Sequence, residues 1–195
     1  MSPEMIETLL ALCFVSAAAG AMRAKIGGKP GDPVEGQMGK DLVWVPTPPA
    51  LVDRMLDMAE VKAGDYVIDL GSGDGRCVIA AAKRGARALG VEYDLPLLDL
   101  SRRNALKEGV ADRASFVRSD FFDVDFSEAT VLALFLLPDV LEKLEPGFAK
   151  LAPGTRIVTN RYGIPGWTPA HVCRIGGESP QHCTALLYVV SSKNN

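Results

Sequence analysis

Three glycines, each separated from the next by one residue, form the segment of this sequence best suited to hold a ligand. The segment from Asp69 to Arg76 reads DLGSGDGR and follows a short apolar run at residues 66–70. Glycine tolerates positive φ and lets a ligand approach the backbone, because no Cβ stands in the way. A helical pattern follows at residues 76–84. A strand, a glycine loop and a helix N-terminus in this order are typical of ligand sites in open α/β sheets.

Acidic residues at the ends of three successive predicted strands are also placed to bind a ligand. Asp69, Glu92 and Asp120 lie at or just after those ends, and parallel strands bring such ends together. Glu92 is placed to accept both hydroxyls of a ribose, the role of the acidic residue in Rossmann sites. Asp120 is placed to accept an adenine amino group, while the ring of Phe121 covers the base. The pattern predicts a nucleoside ligand.

The remaining details favour S-adenosylmethionine over a dinucleotide. The glycine spacing is GxGxG and not GxGxxG, and no lysine follows the last glycine as it does in a Walker loop. Asp69 and Asp74 crowd the loop, which suits an ammonium and a sulfonium better than a pyrophosphate. A dinucleotide-dependent enzyme and a protein that binds the cofactor without turnover are the alternative classes.

These motifs resemble those of the class I, seven-strand methyltransferases, from about Val45 to the C-terminus. The sequence is also similar to the group that contains the lysine methyltransferase of the ATP synthase c subunit. The similar stretches are VPTP (45–48), DLGSGDGR (69–76), AAAKRG (80–85), GVE (90–92) and WTP (167–169). This resemblance implies N-methylation of protein lysine, with a small-molecule amine, oxygen or thiol as the alternative acceptor. Two stretches depart on the acceptor side, namely Leu136-Leu137-Pro138 and Asn160-Arg161-Tyr162.

From the motifs and the resemblance together we predict ten cofactor-binding residues. They are Thr47, Asp69, Gly71, Ser72, Gly73, Gly75, Glu92, Tyr93, Asp120 and Phe121. Methyl transfer from a sulfonium depends mostly on positioning, so no residue type is diagnostic of catalysis. The weak catalytic candidates at the mouth of the site are Asp139, Asn160 and Tyr162. Trp167 is expected either to pack in its loop or to close over the acceptor.

Alternating patterns predict the elements that position these residues. Strands are expected at residues 66–70, 88–92, 115–119, 131–137 and 155–160, with helices at 76–84, 95–107 and 139–151. The last helix is expected to break near Pro146-Gly147, and another is expected to start at Thr47 as its N-cap. Residues 172–175 and 185–190 predict an antiparallel hairpin. The fold class is therefore α/β: Rossmann-like, doubly wound and mostly parallel, with seven strands and a C-terminal antiparallel hairpin.

Composition narrows the function further. The chain has 195 residues, 48% hydrophobic and 23% charged, with a net charge of −3, which fits a globular domain. No basic stripe suggests a nucleic-acid partner. The four cysteines fit a reduced cytosolic protein. His171, Cys173, His182 and Cys183 lack standard zinc spacing, so no metal site is expected.

The N-terminus is the ambiguous part. Residues 9–22 form fourteen uncharged residues, too few for an ordinary spanning helix, and the segment before them is acidic. A packed or interfacial helix, a membrane anchor and a signal peptide all remain open. We predict three regions: a hydrophobic helix (1–25), a Gly/Pro linker (26–40) and the methyltransferase domain (41–195). The expected location is the cytoplasm, with residues 9–22 as a possible membrane tether.

Overall fold

A computed structural model describes residues 31–37, 44–175 and 184–191. Two compact units divide the chain, Met1–Trp44 and Val45–Asn195. In the first unit, two backbone hydrogen bonds join Gly36 and Gln37 to Trp44. Gly36 N donates to Trp44 O and Trp44 N donates to Gln37 O, both at 2.9 Å.

The second unit is built on a seven-stranded sheet. In chain order its strands are β1 (Tyr66–Leu70), β2 (Arg87–Glu92), β3 (Ala114–Arg118), β4 (Val131–Leu134), β5 (Arg156–Asn160), β6 (His171–Arg174) and β7 (Thr184–Val189). Their spatial order is β3-β2-β1-β4-β5-β7-β6. The first five are parallel to one another, and β7 is antiparallel to both β5 and β6. The predicted doubly wound sheet with an antiparallel C-terminal hairpin is confirmed.

Alternation along the strands builds a core on each face of the sheet. The helices are α1 (Pro49–Met58), α2 (Arg76–Lys83), α3 (Leu95–Lys107) and α4 (Pro138–Phe148). Val67 and Val131 pack with α1, α2 and α3 on one face, whereas Ile68 and Leu132 pack with α4 on the other. Strands that are apolar on both faces are the expected result of burial between two helical layers.

Three local predictions were wrong. β4 ends at Leu134, three residues earlier than expected. Helix α4 continues through Pro146, which lies in its last turn and so interrupts little of the helix. Thr47 does not cap α1: the N-cap is Pro48, with no side-chain cap bond. The Thr47 hydroxyl has a tertiary partner instead.

An ion pair between the half-buried Arg156 and the buried Asp65 joins the strands at the end of the sheet opposite the glycine loop. The Arg156 guanidinium binds Asp65 and also donates to Ala59 O at 2.6 Å. Asp65 additionally accepts from Lys62 N at 2.9 Å and from the Thr130 hydroxyl at 2.8 Å. This network joins the segments that lead into β1, β4 and β5, at the sheet edge away from the glycine loop.

Within the described ranges, no helix combines the length and the apolarity needed to cross a bilayer. The hydrophobic residues 9–22 lie outside those ranges, as do the predicted helix 1–25 and most of the 26–40 linker.

Candidate functional site

The glycine loop joins β1 to α2 and folds against the end of β2. Its glycines all adopt positive φ, at 79° for Gly71, 55° for Gly73 and 80° for Gly75. The backbone N–H groups of Gly71 and Ser72 both donate to Val91 O, at 2.8 and 3.0 Å. Gly75 N donates to Ser72 O at 2.9 Å. Gly73 N donates to the Glu92 side chain, so the backbone N–H groups of all three glycines and of Ser72 have partners.

Glu92 locks this loop to the next turn. Its Oε2 accepts from Gly73 N and its Oε1 from Asp94 N, both at 2.9 Å. Asp94 in turn caps α3 by accepting from Leu97 N at 3.0 Å. Each carboxylate oxygen of Glu92 retains a further lone pair, so it can still accept hydroxyl groups while it positions the loop.

Acidic side chains concentrate where β1 and β2 end. Asp69 is 7% exposed and lies near Glu92 and Asp74. Burial raises the pKa of Asp69 to about 8, and the charges of Glu92 and Asp74 add to the effect. A carboxyl group in this state gains strongly from a nearby cation, because the cation restores the ionised form.

A hydrogen-bonded chain runs from the glycine loop to the end of β5. The Arg76 guanidinium donates two hydrogen bonds to the Asp74 carboxylate, from Nε to Oδ1 at 2.9 Å and from Nη2 to Oδ2 at 2.6 Å. Its Nη1 donates to Thr47 O at 2.8 Å. The Thr47 hydroxyl then accepts from Nδ2 of Asn160 at 3.2 Å. Thr47 thus links the cofactor-loop side of the sheet to β5, across the end of β4.

The predicted adenine residues follow β3 on the other side. Asp120 caps the 3-10 helix Phe121–Asp123 by accepting from Phe122 N at 3.1 Å. The Phe121 ring is half-buried and lies 4.7 Å from that of Phe122. Tyr93 is exposed, and the Arg118 guanidinium lies 5.4 Å above its ring. These aromatic rings flank the ends of β2 and β3, where an adenine would lie; their contact with it remains a prediction.

The catalytic candidates are not equivalent in position. Asp139 is exposed in the first turn of α4, where a carboxylate also suits the helix dipole. Asn160 is the last residue of β5 and is 1% exposed. Tyr162 follows it in a tight turn, with the Arg161 guanidinium 5.0 Å above its ring.

Trp167 packs in its own loop. Its indole N–H donates to Glu145 of α4 at 2.9 Å, and its ring meets Tyr188 edge-on at 6.3 Å. The Tyr188 hydroxyl accepts from Ile164 N at 3.1 Å. These contacts favour the packed interpretation over closure on the acceptor.

Three residues contribute to the site in ways that the sequence did not predict. Gly90 in β2 is required because a Cβ there would lie 2.5 Å from Ser72 Oγ and 2.6 Å from the ring of Phe116. Leu136 lies over the loop, 3.5 Å from where a Cβ on Gly71 would be. Arg76 ends the glycine motif but also bridges it to Thr47. Its position two residues after Asp74 was the signal in the sequence for a local ion pair.

The chemistry of these residues fits S-adenosylmethionine. Four N–H groups of the loop that could bind a pyrophosphate already have partners within the protein, whereas the acidic side chains suit a cationic ligand. Ser72 Oγ is buried without a hydrogen-bond partner among the described residues. This hydroxyl lies 2.5 Å from where a Cβ on Gly90 would be, so it is part of the packing of the loop against β2.

Comparison with known proteins gives the same picture. A model of the ANTKMT methyltransferase domain matches residues 69–171. A protein-lysine N-methyltransferase of Saccharolobus islandicus is 45% identical over 150 residues, which are 75% of this chain and 92% of that protein. The human lysine N-methyltransferase of the ATP synthase c subunit is 38% identical over 132 residues. That alignment covers 67% of this chain and 56% of the human protein, so the chain spans little more than half of this relative.

A solved structure has a similar fold. An RNA methyltransferase from Salinibacter ruber, in complex with S-adenosyl-L-homocysteine, is 42% identical with a TM-score of 0.72. The match covers 77% of this chain and 97% of that one.

Proposed function

Because the chain belongs to the ANTKMT methyltransferase family, we propose that it methylates the ε-amino group of a lysine in a protein. The chain is an S-adenosylmethionine-dependent methyltransferase. The observation that carries the lysine proposal is its 45% identity to a protein-lysine N-methyltransferase over 92% of that protein. A second relative, at 38% identity, also carries a lysine methyltransferase name.

Specific residues are assigned to the cofactor in this proposal. S-adenosylmethionine supplies a methyl group that is activated by its sulfonium. Glu92 holds the ribose hydroxyls while it keeps Gly73 in place. Asp69 faces the positive charge, and its ionisation becomes favourable when that charge arrives. Asp120 and Phe121 bind the adenine.

The acceptor side requires positioning and the loss of a proton. A lysine is nucleophilic only as the free amine, and burial in a poorly solvated cleft lowers its pKa toward neutrality. Leu136 and Leu137 supply apolar surface next to the loop, and both are at least partly buried. The acidic residues around the site attract a cationic chain to the mouth before it is desolvated.

RNA is the second candidate acceptor, and the name of the Salinibacter ruber protein is the observation that favours it. The net charge of −3 and the carboxylates at the site weigh against a polyanion. A small amine, oxygen or thiol acceptor would satisfy the same cofactor site.

One labelling experiment separates these acceptors. Extracts of cells that lack this chain are incubated with the purified protein and methyl-labelled S-adenosylmethionine, then split into protein, RNA and metabolite fractions. We expect label on lysine after peptide mapping of soluble and membrane proteins. Label confined to RNA, or to oxygen or sulfur of a small molecule, would refute the lysine proposal and leave the cofactor assignment intact.

We further propose that the protein acts in the cytoplasm, with residues 9–22 as a membrane tether. The support is the uncharged run itself and the basic residues Arg23, Lys25 and Lys29 after it, which the positive-inside rule places on the cytoplasmic side. Fractionation of cells that express the full chain, or the chain without residues 1–25, tests this. The shortened chain should leave the membrane fraction.

A further inference from the structure

Two buried side-chain atoms lack a hydrogen-bond partner among the described residues, and both lie at the ligand edge of the sheet. One is Ser72 Oγ in the glycine loop, and the other is Asn160 Oδ1 at the end of β5. A buried acceptor without a partner costs about 1–3 kcal/mol. An unpaired acceptor therefore needs an explanation. Ser72 Oγ lies 2.5 Å from where a Cβ on Gly90 would be, so it is part of the packing of the loop against β2. β4 separates β5 from β1, so the oxygen of Asn160 needs an explanation of its own.

An independent feature lies in the backbone of Asn160 and the two residues after it. Arg161 has a positive φ of 69°, and Tyr162 N donates back to Asn160 O at 2.8 Å. A hydrogen bond between residues two apart, closed around a positive φ, is the strained form of the γ-turn. Strain of this kind persists only where the surroundings enforce it, and it concentrates at functional sites.

The surroundings do enforce this turn. Arg161 N donates to Thr184 O of β7 at 2.7 Å, and the Thr159 hydroxyl donates to Tyr162 O at 2.7 Å. The turn therefore fixes the last residue of β5 as the chain leaves the sheet. The amide of Asn160 is the side chain that it holds in place.

Hydrogen bonds through Thr47 and Arg76 connect Asn160 to the glycine loop. Its Nδ2 donates to the Thr47 hydroxyl at 3.2 Å, at the long end of the normal range. The carbonyl of Thr47 is held by Arg76, the residue that ends the glycine motif. Asn160 is thus one bridging residue away from the loop, on the side of the sheet away from β2 and β3.

We infer that Asn160 Oδ1 accepts a hydrogen bond from the acceptor amine and positions it for methyl transfer. The inference rests on the proposed lysine acceptor. A neutral amide oxygen suits this task, because it orients an N–H without stabilising the ammonium as a carboxylate would. Because this oxygen is buried, the Asn160 amide has to turn for an amine to reach it, and its bond from Nδ2 to the Thr47 hydroxyl is long enough to give way. Among the three catalytic candidates, Asn160 alone combines burial with an unpaired acceptor.

The test compares two substitutions of Asn160 with a control in the same strand region. Asn160→Leu removes the oxygen at similar size, and Asn160→Asp keeps an oxygen but adds a charge. Thr155→Val removes a hydroxyl that is 4% exposed and donates to Ala129 O at 3.4 Å, at the opposite end of β5. Each variant is assayed for S-adenosylhomocysteine affinity by calorimetry. The kcat, KM and pH profile are measured on the purified protein that the wild-type chain labels most strongly.

We expect Asn160→Leu to lower kcat/KM for the acceptor by about 10- to 150-fold, the loss of one hydrogen bond to a charged or polarised group. S-adenosylhomocysteine affinity should stay within about twofold, and Thr155→Val should stay within about threefold in both readouts. In Asn160→Asp the carboxylate holds the lysine as ammonium, so the pH of half-maximal activity should rise by about one unit.

Three results would overturn the inference. The first is Asn160→Leu with acceptor kinetics like the wild type. The second is a parallel loss of S-adenosylhomocysteine affinity, which would make Asn160 a tether for Thr47. The third is an unshifted pH profile in Asn160→Asp, a readout that stands even if Asn160→Leu does not fold. Wild-type labelling of lysine separates each of these from failure of the proposed function, which shows as the absence of label on lysine with the wild-type chain.

Discussion

Asp69 should make cofactor binding depend on pH in a way that one substitution removes. The free carboxyl has a pKa of about 8, because it is buried beside Glu92 and Asp74. Bound S-adenosylmethionine brings positive charge, which favours the ionised form and lowers this pKa. Binding near neutral pH should therefore expel the proton from Asp69, and binding should tighten as pH rises through 8.

The size of the effect follows from that pKa. With a pKa of about 8, Asp69 is roughly one-tenth ionised at pH 7 and nine-tenths ionised at pH 9. If only the ionised form binds well, affinity rises about tenfold between these values, and binding at pH 7 releases about 0.9 proton. Because the pKa of Asp69 is raised in the free protein, its carboxyl group is mostly protonated below pH 8, and this proton must leave when the cation binds.

Isothermal titration in buffers of different ionisation enthalpy counts the protons released. The α-amino group of S-adenosylmethionine titrates in the same range, so the comparison is between the wild-type chain and Asp69→Asn. The ligand contributes equally to both, and the difference belongs to Asp69. Equal proton release and equal pH dependence in the two proteins would refute the assignment of Asp69 to the cationic part of the ligand.

Four further outcomes are expected. Glu92→Ala should weaken S-adenosylhomocysteine binding at least tenfold in calorimetry, while the circular dichroism spectrum stays native. The reason is that the ribose contacts and the bond from Gly73 N are both lost, and unchanged affinity would contradict it. Gly73→Val (φ 55°) should abolish binding, whereas Gly64→Val, which places the same side chain at another positive φ (94°) in open space far from the loop, should only lower the urea midpoint. Arg156→Met should lower the free energy of unfolding by roughly 2–4 kcal/mol at pH 7, since the buried Asp65 loses its cationic partner and keeps only the bonds from Lys62 N and Thr130. A chain that begins at Lys40 should stay soluble and bind S-adenosylhomocysteine; aggregation would mean that the N-terminal region belongs to the core.

The Arg156 prediction also has a pH dependence with a defined sign. Burial raises the pKa of Asp65, but hydrogen bonds from Lys62 N, Thr130 and Arg156 outweigh it, so the pKa lies below its usual range. A lowered pKa in the folded state adds stability above the unfolded pKa of about 3.9, and this stability is lost as pH falls through the folded value. Urea midpoints at neutral and acidic pH should therefore differ less for Arg156→Met than for the wild type.

Local signals in the sequence were enough to predict the sheet and the glycine loop. Apolar runs of strand length, helical periodicity and glycines at a strand end act over a few residues, so their meaning depends little on the rest of the chain. The run at Tyr66–Leu70 and the helix Leu95–Lys107 have the predicted bounds. The acidic residues at the ends of β1 and β2 could be placed together because parallel strands align their carboxyl ends.

Only the tertiary structure decided how the loop connects to the acceptor side. The sequence at Thr47 predicts a helix cap, yet the Thr47 hydroxyl accepts a hydrogen bond from Asn160, 113 residues later. The γ-turn at Arg161 depends on Thr184 of a neighbouring strand. Such partners are chosen by packing of distant segments, and no local pattern encodes them. The sequence by itself therefore determined the fold class and the cofactor loop, whereas the geometry around Asn160 came from contacts that exist only once the sheet is assembled.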